Sequence, residues 1–347
     1  MRIYVADNRH GTETGEILGY DLSTGEKIWS LPTQYNPDVA ASRDGTRLFV
    51  AHSYLDRAVQ AADRDELTLY DGRTHARIHS DSFRWRSLYN VAPTSPALVV
   101  SEDAKFCYVW KTETLGDDKA NYSIGVFDAV VGKFRHRDMK VPYPVMHFES
   151  IPGRAELHFT LTGRLGEAVA VADPREEPEL HKAHEFGSPW SHEGRFALAG
   201  SCAHPNGRIV TLLSRGSALR LWNPWTNLLS EPVQLSMRPG AAVALQHLIS
   251  MGNRLLLGTA DRESAARGLS THLEIFETDG GFFRTATWSL DPPAEKIYLS
   301  PDGTHLVTLS RDRRMVTVLD SDGRVLRRIE EIGVSPVAGA LCLEPPA

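Results

Sequence analysis

The feature that most constrains this chain is a unit that recurs seven times. Each copy has an apolar strand, a tight turn, a second strand, a loop and a third strand that ends in an acidic or amide residue. The third-strand ends read GYDLSTGEK at Asp21, LYDGRTHAR at Asp71, VFDAVVGKF at Asp128, VADPREEP at Asp173, LWNPWTNLL at Asn223, IFETDGGFF at Glu277 and VLDSDGRVL at Asp320. They are spaced by 50, 57, 45, 50, 54 and 43 residues, and the interval across the two chain ends is 48. A regular period of this length is the signature of four-stranded propeller blades, each of which needs a neighbour to cover its apolar face. The expectation is an all-β, seven-bladed β-propeller with four-stranded blades, residues 1–347 forming one domain.

Local chemistry agrees. Asp44-Gly45, Asn206-Gly207 and Asp302-Gly303 follow first strands, and Asp322-Gly323 follows a third. Tight hairpins need positive φ, which Gly, Asn and Asp tolerate best. Between the turns the residues alternate or run apolar, as in RLFVAHS, HLVTLS and MVTVLD, and no segment keeps a 3.6-residue period. The tail PVAGALCLE (Pro336–Glu344) reads as a first strand with no second, and RIYVA (Arg2–Ala6) as a second strand with no first. Paired, they predict a composite blade from residues 1–31 and 336–344 that closes the ring and removes an open edge.

Charge and cysteine content narrow the function classes. The net charge is −6 and the arginines around 84–86 and 311–314 are interrupted by other residues, so nucleic acid is not an expected partner. No apolar run approaches the ~20 residues that span a bilayer. The opening MRIYVADN reads as a strand rather than a leader, and three widely spaced cysteines (Cys107, Cys202, Cys342) do not suggest a disulfide framework, so a cytoplasmic protein is expected.

The segments LFVAHSYLDRAVQAADRDELTLYDGRT (Leu48–Thr74), LLLGTADRESAARG through MVTVLDSDGRVLRRIEEIG, and ADNRHGTETGEILGYD (Ala6–Asp21) resemble the heavy chain of methylamine dehydrogenase, over nearly the whole chain. The resemblance implies a YVTN-type seven-bladed propeller that serves as a periplasmic scaffold, with a separate light chain carrying the tryptophan tryptophylquinone. This chain departs from that pattern. Val145 and Thr160 stand at the family's disulfide positions, Gly11 stands where a Phe gates the amine channel, and the export leader is missing. The departures imply that amine oxidation is lost.

Catalytic motifs are scarce: no G-x-S-x-G, P-loop or H-E-x-x-H occurs. His181-Lys-Ala-His184-Glu185 resembles a metal motif only on a helix; in a strand the two imidazoles face opposite sides. Asp320-Ser-Asp322-Gly323 is short of calcium ligands and reads as a turn. Cys202 beside His204 reads as a buried structural thiol. No metal and no cofactor are expected.

Propeller geometry points instead to the loops at one end of the channel. The longest insertions are Ser53–Glu66, Thr112–Tyr122 and Ala260–His272. The blade-to-blade loops are Arg84–Asn90, Val141–His147, Phe186–Arg195, Ser236–Gly240 and Asp291–Lys296. Their convergence would gather Trp85, Tyr89, Tyr143 and Trp190 as aromatic walls with Arg238 and Lys296 as anion holders, the make-up of a small-molecule pocket. His147 or His192 would be the general base and Glu295 its acid–base partner. The expected function is a cofactor-independent cyclisation, isomerisation or elimination in a specialised biosynthetic pathway. The alternative is a non-catalytic scaffold whose protein partner carries the chemistry. The sequence leaves the oligomeric state open.

Overall fold

In the computed structural model the described residues are 1–8, 14–56, 61–83, 98–116, 119–162, 167–180, 182–187, 198–213, 218–279 and 281–346. They group into two compact units. One is Met1–Pro142 with Pro174–Pro178 and Tyr298–Ala347; the other is Tyr143–Asp173 with Glu179–Ile297.

The chain is all-β, built from antiparallel meanders. One sheet has seven strands, in the order Pro336–Cys342, Arg2–Asn8, Thr14–Asp21, Lys27–Ala41, Arg47–Asp56, Ala61–Asp71 and Arg77–Phe83. Among the described residues, five more sheets have four or five strands each and begin at Leu98–Val100, Val145–Ser150, Leu198–Ala203, Ala242–Met251 and Lys296–Leu299. Second and third strands, such as LHFTLT and EAVAVA, are mostly apolar because they are covered on both faces; every residue of Glu167–Ala172 is buried. Strands at the sheet edges leave side chains such as Ile78, Phe283 and Leu326 exposed.

The recurring Asp collects backbone donors, while the positive φ of the Asp-Gly turns falls on the Gly. At Asp21, Asp71 and Asp128 one carboxylate oxygen accepts the backbone N–H groups two and three residues on. Asn223 does the same with Trp225 and Thr226, and Asp320 accepts from Asp322 and Arg324. Such Asx turns satisfy donors that the outgoing strand cannot reach. A second motif recurs at the first turn. Ser42, Ser101 and Ser300 each donate to the Asp two residues on and accept an N–H five residues on. The Asp320 segment is thus a hairpin turn, in agreement with its sequence.

The two chain ends pair as expected. Arg2–Ala6 lies antiparallel to Ala338–Cys342, with Tyr4 opposite Ala340. Asp7, fully buried, accepts from the backbone N–H groups of Val334 and Ser335, and Asn8 N donates to Ser335 O at 3.0 Å. Gly333 is required there: its φ is +70°, and a Cβ would stand 2.7 Å from the Asp7 carboxyl carbon.

Two insertions expected as loops extend hairpins instead. The Arg47–Asp56 ladder with Ala61–Asp71 runs out to Asp56 opposite Ala61, and Phe106–Gly116 pairs with Lys119–Asp128 as far as Gly116 opposite Lys119. Their sequences, rich in polar residues, lack the apolar alternation by which strands are recognised. The third insertion contains a short helix, Arg262–Ala266, capped by Asp261. No helix among the described residues is long and apolar enough to cross a membrane.

Candidate functional site

Of the residues nominated from sequence, Trp85, Tyr89, Trp190 and His192 lie outside the described residues, as do Gly11 and His181. Tyr143, His147, Arg238, Glu295 and Lys296 all belong to the second compact unit. Two of them are not on loops: His147 is inside the strand Val145–Ser150 and Lys296 opens the strand Lys296–Leu299. The loops are shorter than expected because strand pairing continues through them. A bulge between Val145 and His147 shifts the register so that His147 faces Thr160; bulges are a common way for a strand to re-aim a side chain. Tyr143 precedes this strand and is half-buried.

His147 stands at the exposed end of a polar chain that runs inward. Its Nε2 is 3.6 Å from Glu149 Oε2, and the two side chains keep 26% and 33% of their surface, enough for a ligand to reach them. Glu149 Oε1 also lies 3.2 Å from His158 Nδ1 and accepts from the backbone N–H of Ala203 at 2.6 Å. His158 is fully buried, and its Nε2 lies 3.0 Å from Ser201 Oγ, which in turn is 2.5 Å from Thr160 Oγ1. The tautomer follows from the carboxylate: Glu149 accepts, so His158 carries its proton on Nδ1 and its Nε2 accepts from the Ser201 hydroxyl. Thr160 then donates to Ser201.

Electrostatics reinforce this assignment. Burial acts to raise the Glu149 carboxyl, but the imidazoles of His147 and His158 outweigh it and hold it well below the usual carboxylate range. Burial lowers His158, against the opposing pull of Glu149. An ionised carboxylate beside a half-exposed imidazole stabilises the imidazolium formed when that imidazole takes a proton, the orienting and charge-stabilising role of a carboxylate beside a general base.

A second cluster anchors Glu295 and Lys296. His247, only 7% exposed, donates from Nε2 to Glu295 O at 2.9 Å and accepts at Nδ1 from Ser270 Oγ at 2.6 Å. Burial pushes this imidazole down to about 4. Gly258 makes room for it, since a Cβ there would come within 2.2 Å of Ser270 Oγ and 2.4 Å of His247 Cβ. Arg238 belongs to a third cluster, with Nε 3.7 Å from Glu274 Oε1 and Nη2 3.2 Å from His272 Nδ1.

Glu149, His158, Ser201, His247 and Glu274 were missed in the sequence. Glu149 sits in the strand VMHFES and Ser201 in the strand LAGSCA. A buried polar residue within an apolar run was the available signal, because such groups are retained only with partners. Cys202 is a buried free thiol, as expected, and His184 packs edge-on against Phe186 at 4.9 Å between ring centres. Among the described residues no group of His, Cys, Asp or Glu is placed to hold a metal ion.

No family model matches the sequence, and no curated protein matches it. Solved structures do. The periplasmic gluconolactonase of Pseudomonas aeruginosa is similar with a TM-score of 0.63 at 14% identity, over 97% of this chain and 98% of that one. A putative 6-phosphogluconolactonase of Bacteroides fragilis is similar with a TM-score of 0.57 at 12% identity, over 97% and 96%. A dihydro-haem d1 dehydrogenase is similar with a TM-score of 0.55 at 13% identity, over 95% of this chain; the chain spans 63% of that protein's length. At such identities the likeness concerns the fold, and with the meanders described above it makes this chain an all-β β-propeller.

Proposed function

We propose that the chain is a small-molecule-binding propeller that works as a cofactor-independent acid–base enzyme, of the cyclisation, isomerisation or elimination class, in a specialised biosynthetic pathway. The observation that carries this reading is the Glu149 carboxylate set between half-exposed His147 and buried His158. His147 takes a proton from the substrate, Glu149 stabilises the imidazolium, and the same proton returns to the rearranged substrate or its leaving group. His158, Ser201 and Thr160 hold Glu149 in place from behind. Glu295 and His192 are the further acid–base candidates, and Trp85, Tyr89, Tyr143, Trp190 and Lys296 the ligand-binding ones. The related solved structures named as lactonases and as a dehydrogenase are consistent with small-molecule chemistry on this fold, although fold alone does not assign it.

The finer architecture is part of the proposal. Lys27–Ala41 pairs through Lys27–Gln34 with Thr14–Tyr20 and through Tyr35–Ala41 with Leu48–Ser53. Dividing the seven-stranded sheet at this shared strand yields two four-stranded blades, hence seven in a single domain with the composite blade of residues 1–31 and 336–344. We read the chain as a cytoplasmic relative of the amine dehydrogenase heavy chain, a location supported by three free, buried thiols.

The test is turnover of a metabolite extract followed by mass spectrometry. His147→Ala and Glu149→Gln should each lower the rate by about a hundredfold or more, the usual contribution of a positioned base. Full activity in His147→Ala would remove it from this role. A scaffold is the second reading, favoured by a groove of about 390 Å³ where Ile78 and Val130 lie exposed beside Arg47 and His79. A stoichiometric small subunit that co-purifies, with no bound metabolite, would decide for the scaffold.

A further inference from the structure

Glu274 is fully buried, in the strand Ser270–Glu277, and two guanidinium groups meet it. Arg284 Nη1 donates to Oε2 at 3.1 Å, Thr287 Oγ1 donates to the same oxygen at 3.0 Å, and Arg238 Nε lies 3.7 Å from Oε1. The Arg238 side is loose: Nε and Oε1 are both buried, and neither has a hydrogen-bond partner. The remaining neighbour, His272, adds no charge. Arg238 can only donate, so His272 Nδ1 must accept from Nη2, and the imidazole is neutral with its proton on Nε2. Thr271 Oγ1, 2.9 Å from the same nitrogen, donates to Thr259 O and adds no charge either. Burial and Arg238 both lower this histidine, in agreement with the neutral form.

Two positive charges therefore share one negative charge. Their side chains keep 38% and 30% of their surface, while the carboxylate keeps none. The surplus charge is presented outward, and each guanidinium retains N–H donors that Glu274 does not use, five being available on each. A planar guanidinium pair with unspent donors suits the oxygens of a carboxylate or a phosphate, which it binds in forked fashion. We propose that Arg238 and Arg284, held by Glu274, form a binding site for an oxyanion: the carboxylate or phosphate group of a small-molecule ligand. Glu274 keeps the two guanidiniums together despite their repulsion and leaves a net charge of +1 for the ligand. The site stands on these residues alone and does not depend on the acid–base role of His147.

The experiment is titration of the whole protein with inorganic phosphate and, separately, acetate, read by calorimetry and by the rise in Tm. Binding in the millimolar range is expected from one or both, the range of a few kcal/mol that an ion of this size can supply. Stronger binding of phosphate assigns a phosphate ligand, and stronger binding of acetate assigns a carboxylate. Arg238→Met and Arg284→Met should each weaken binding about tenfold or more. Glu274→Gln should tighten it, because the internal competitor is neutralised while the amide still occupies the space. A purely structural ion-pair network would show no such gain. Failure of both anions to bind at about 10 mM overturns the proposal. So does binding that Glu274→Gln fails to strengthen, even if the arginine variants do not fold.

Discussion

Acidification should expose His247 as a determinant of stability. The imidazole is buried with one donor and one acceptor bond satisfied, in the neutral form, and it is held at about 4. In the unfolded chain it titrates near its ordinary 6.5. The folded pKa is the lower one, so between these values the unfolded state binds more protons and stability falls as pH falls. The stabilisation is fully present above about 6.5 and is lost on the way down to about 4, a span equivalent to about 3 kcal/mol, of which about 2 kcal/mol is gone by pH 5. Other lowered histidines titrate in the same direction, so the comparison must be with a variant. His247→Gln keeps a donor for Glu295 O, sacrifices the Ser270 bond at a fixed cost of about 1 kcal/mol, and cannot titrate. Urea unfolding of both proteins at about pH 7.5 and about pH 5 should show the wild-type advantage shrinking by about 2 kcal/mol on acidification. An advantage that stays constant within about 0.5 kcal/mol would refute the buried-imidazole argument, since the whole effect comes from that one titration.

Two further predictions concern packing and charge. Glu149→Gln should destabilise the fold by about 2 kcal/mol near neutral pH, the scale for hydrogen bonds to a charged group. Because the carboxyl is held low in the fold, its contribution is present above its unfolded value of about 4.5 and lost as pH falls below that, so acid urea titrations of the variant should have the flatter limb. Gly45 and Gly153 share a φ of +72°, but a Cβ on Gly45 would stand 2.2 Å from Leu343 O while one on Gly153 would meet nothing within 4 Å. Gly153→Ala should therefore cost about 1 kcal/mol of backbone strain, and Gly45→Ala about 2–4 kcal/mol, by thermal or urea unfolding.

Arg238 and His147 mark the point where local pattern ends and tertiary contact begins. Arg238 is a cation on a turn and so suited to hold an anion, but the sequence gives no hint of Glu274, 36 positions on, or of Arg284 beyond it. His147 was placed on a loop, and one bulged residue moved it into a strand opposite Thr160. Its partner Glu149 is two residues away on the same strand, close enough to have been noticed. His158 and Ser201, which hold the chain of bonds behind it, come from a neighbouring strand and a neighbouring sheet.

Everything decided within a few residues was written in the sequence. The repeat period, the Asp and Asn that collect N–H groups at each turn, the apolar second and third strands and the pairing of the two termini all depend on short-range geometry or on a simple pattern of burial. The tertiary structure alone decided which buried polar groups meet. Strand register has a period of two, so a single bulge re-aims a side chain, and the cost of burying a charge is met only by whichever donors the neighbouring strands bring. Glu149 with its two imidazoles and Glu274 with its two guanidiniums are products of that convergence, formed across strands that the sequence describes one at a time.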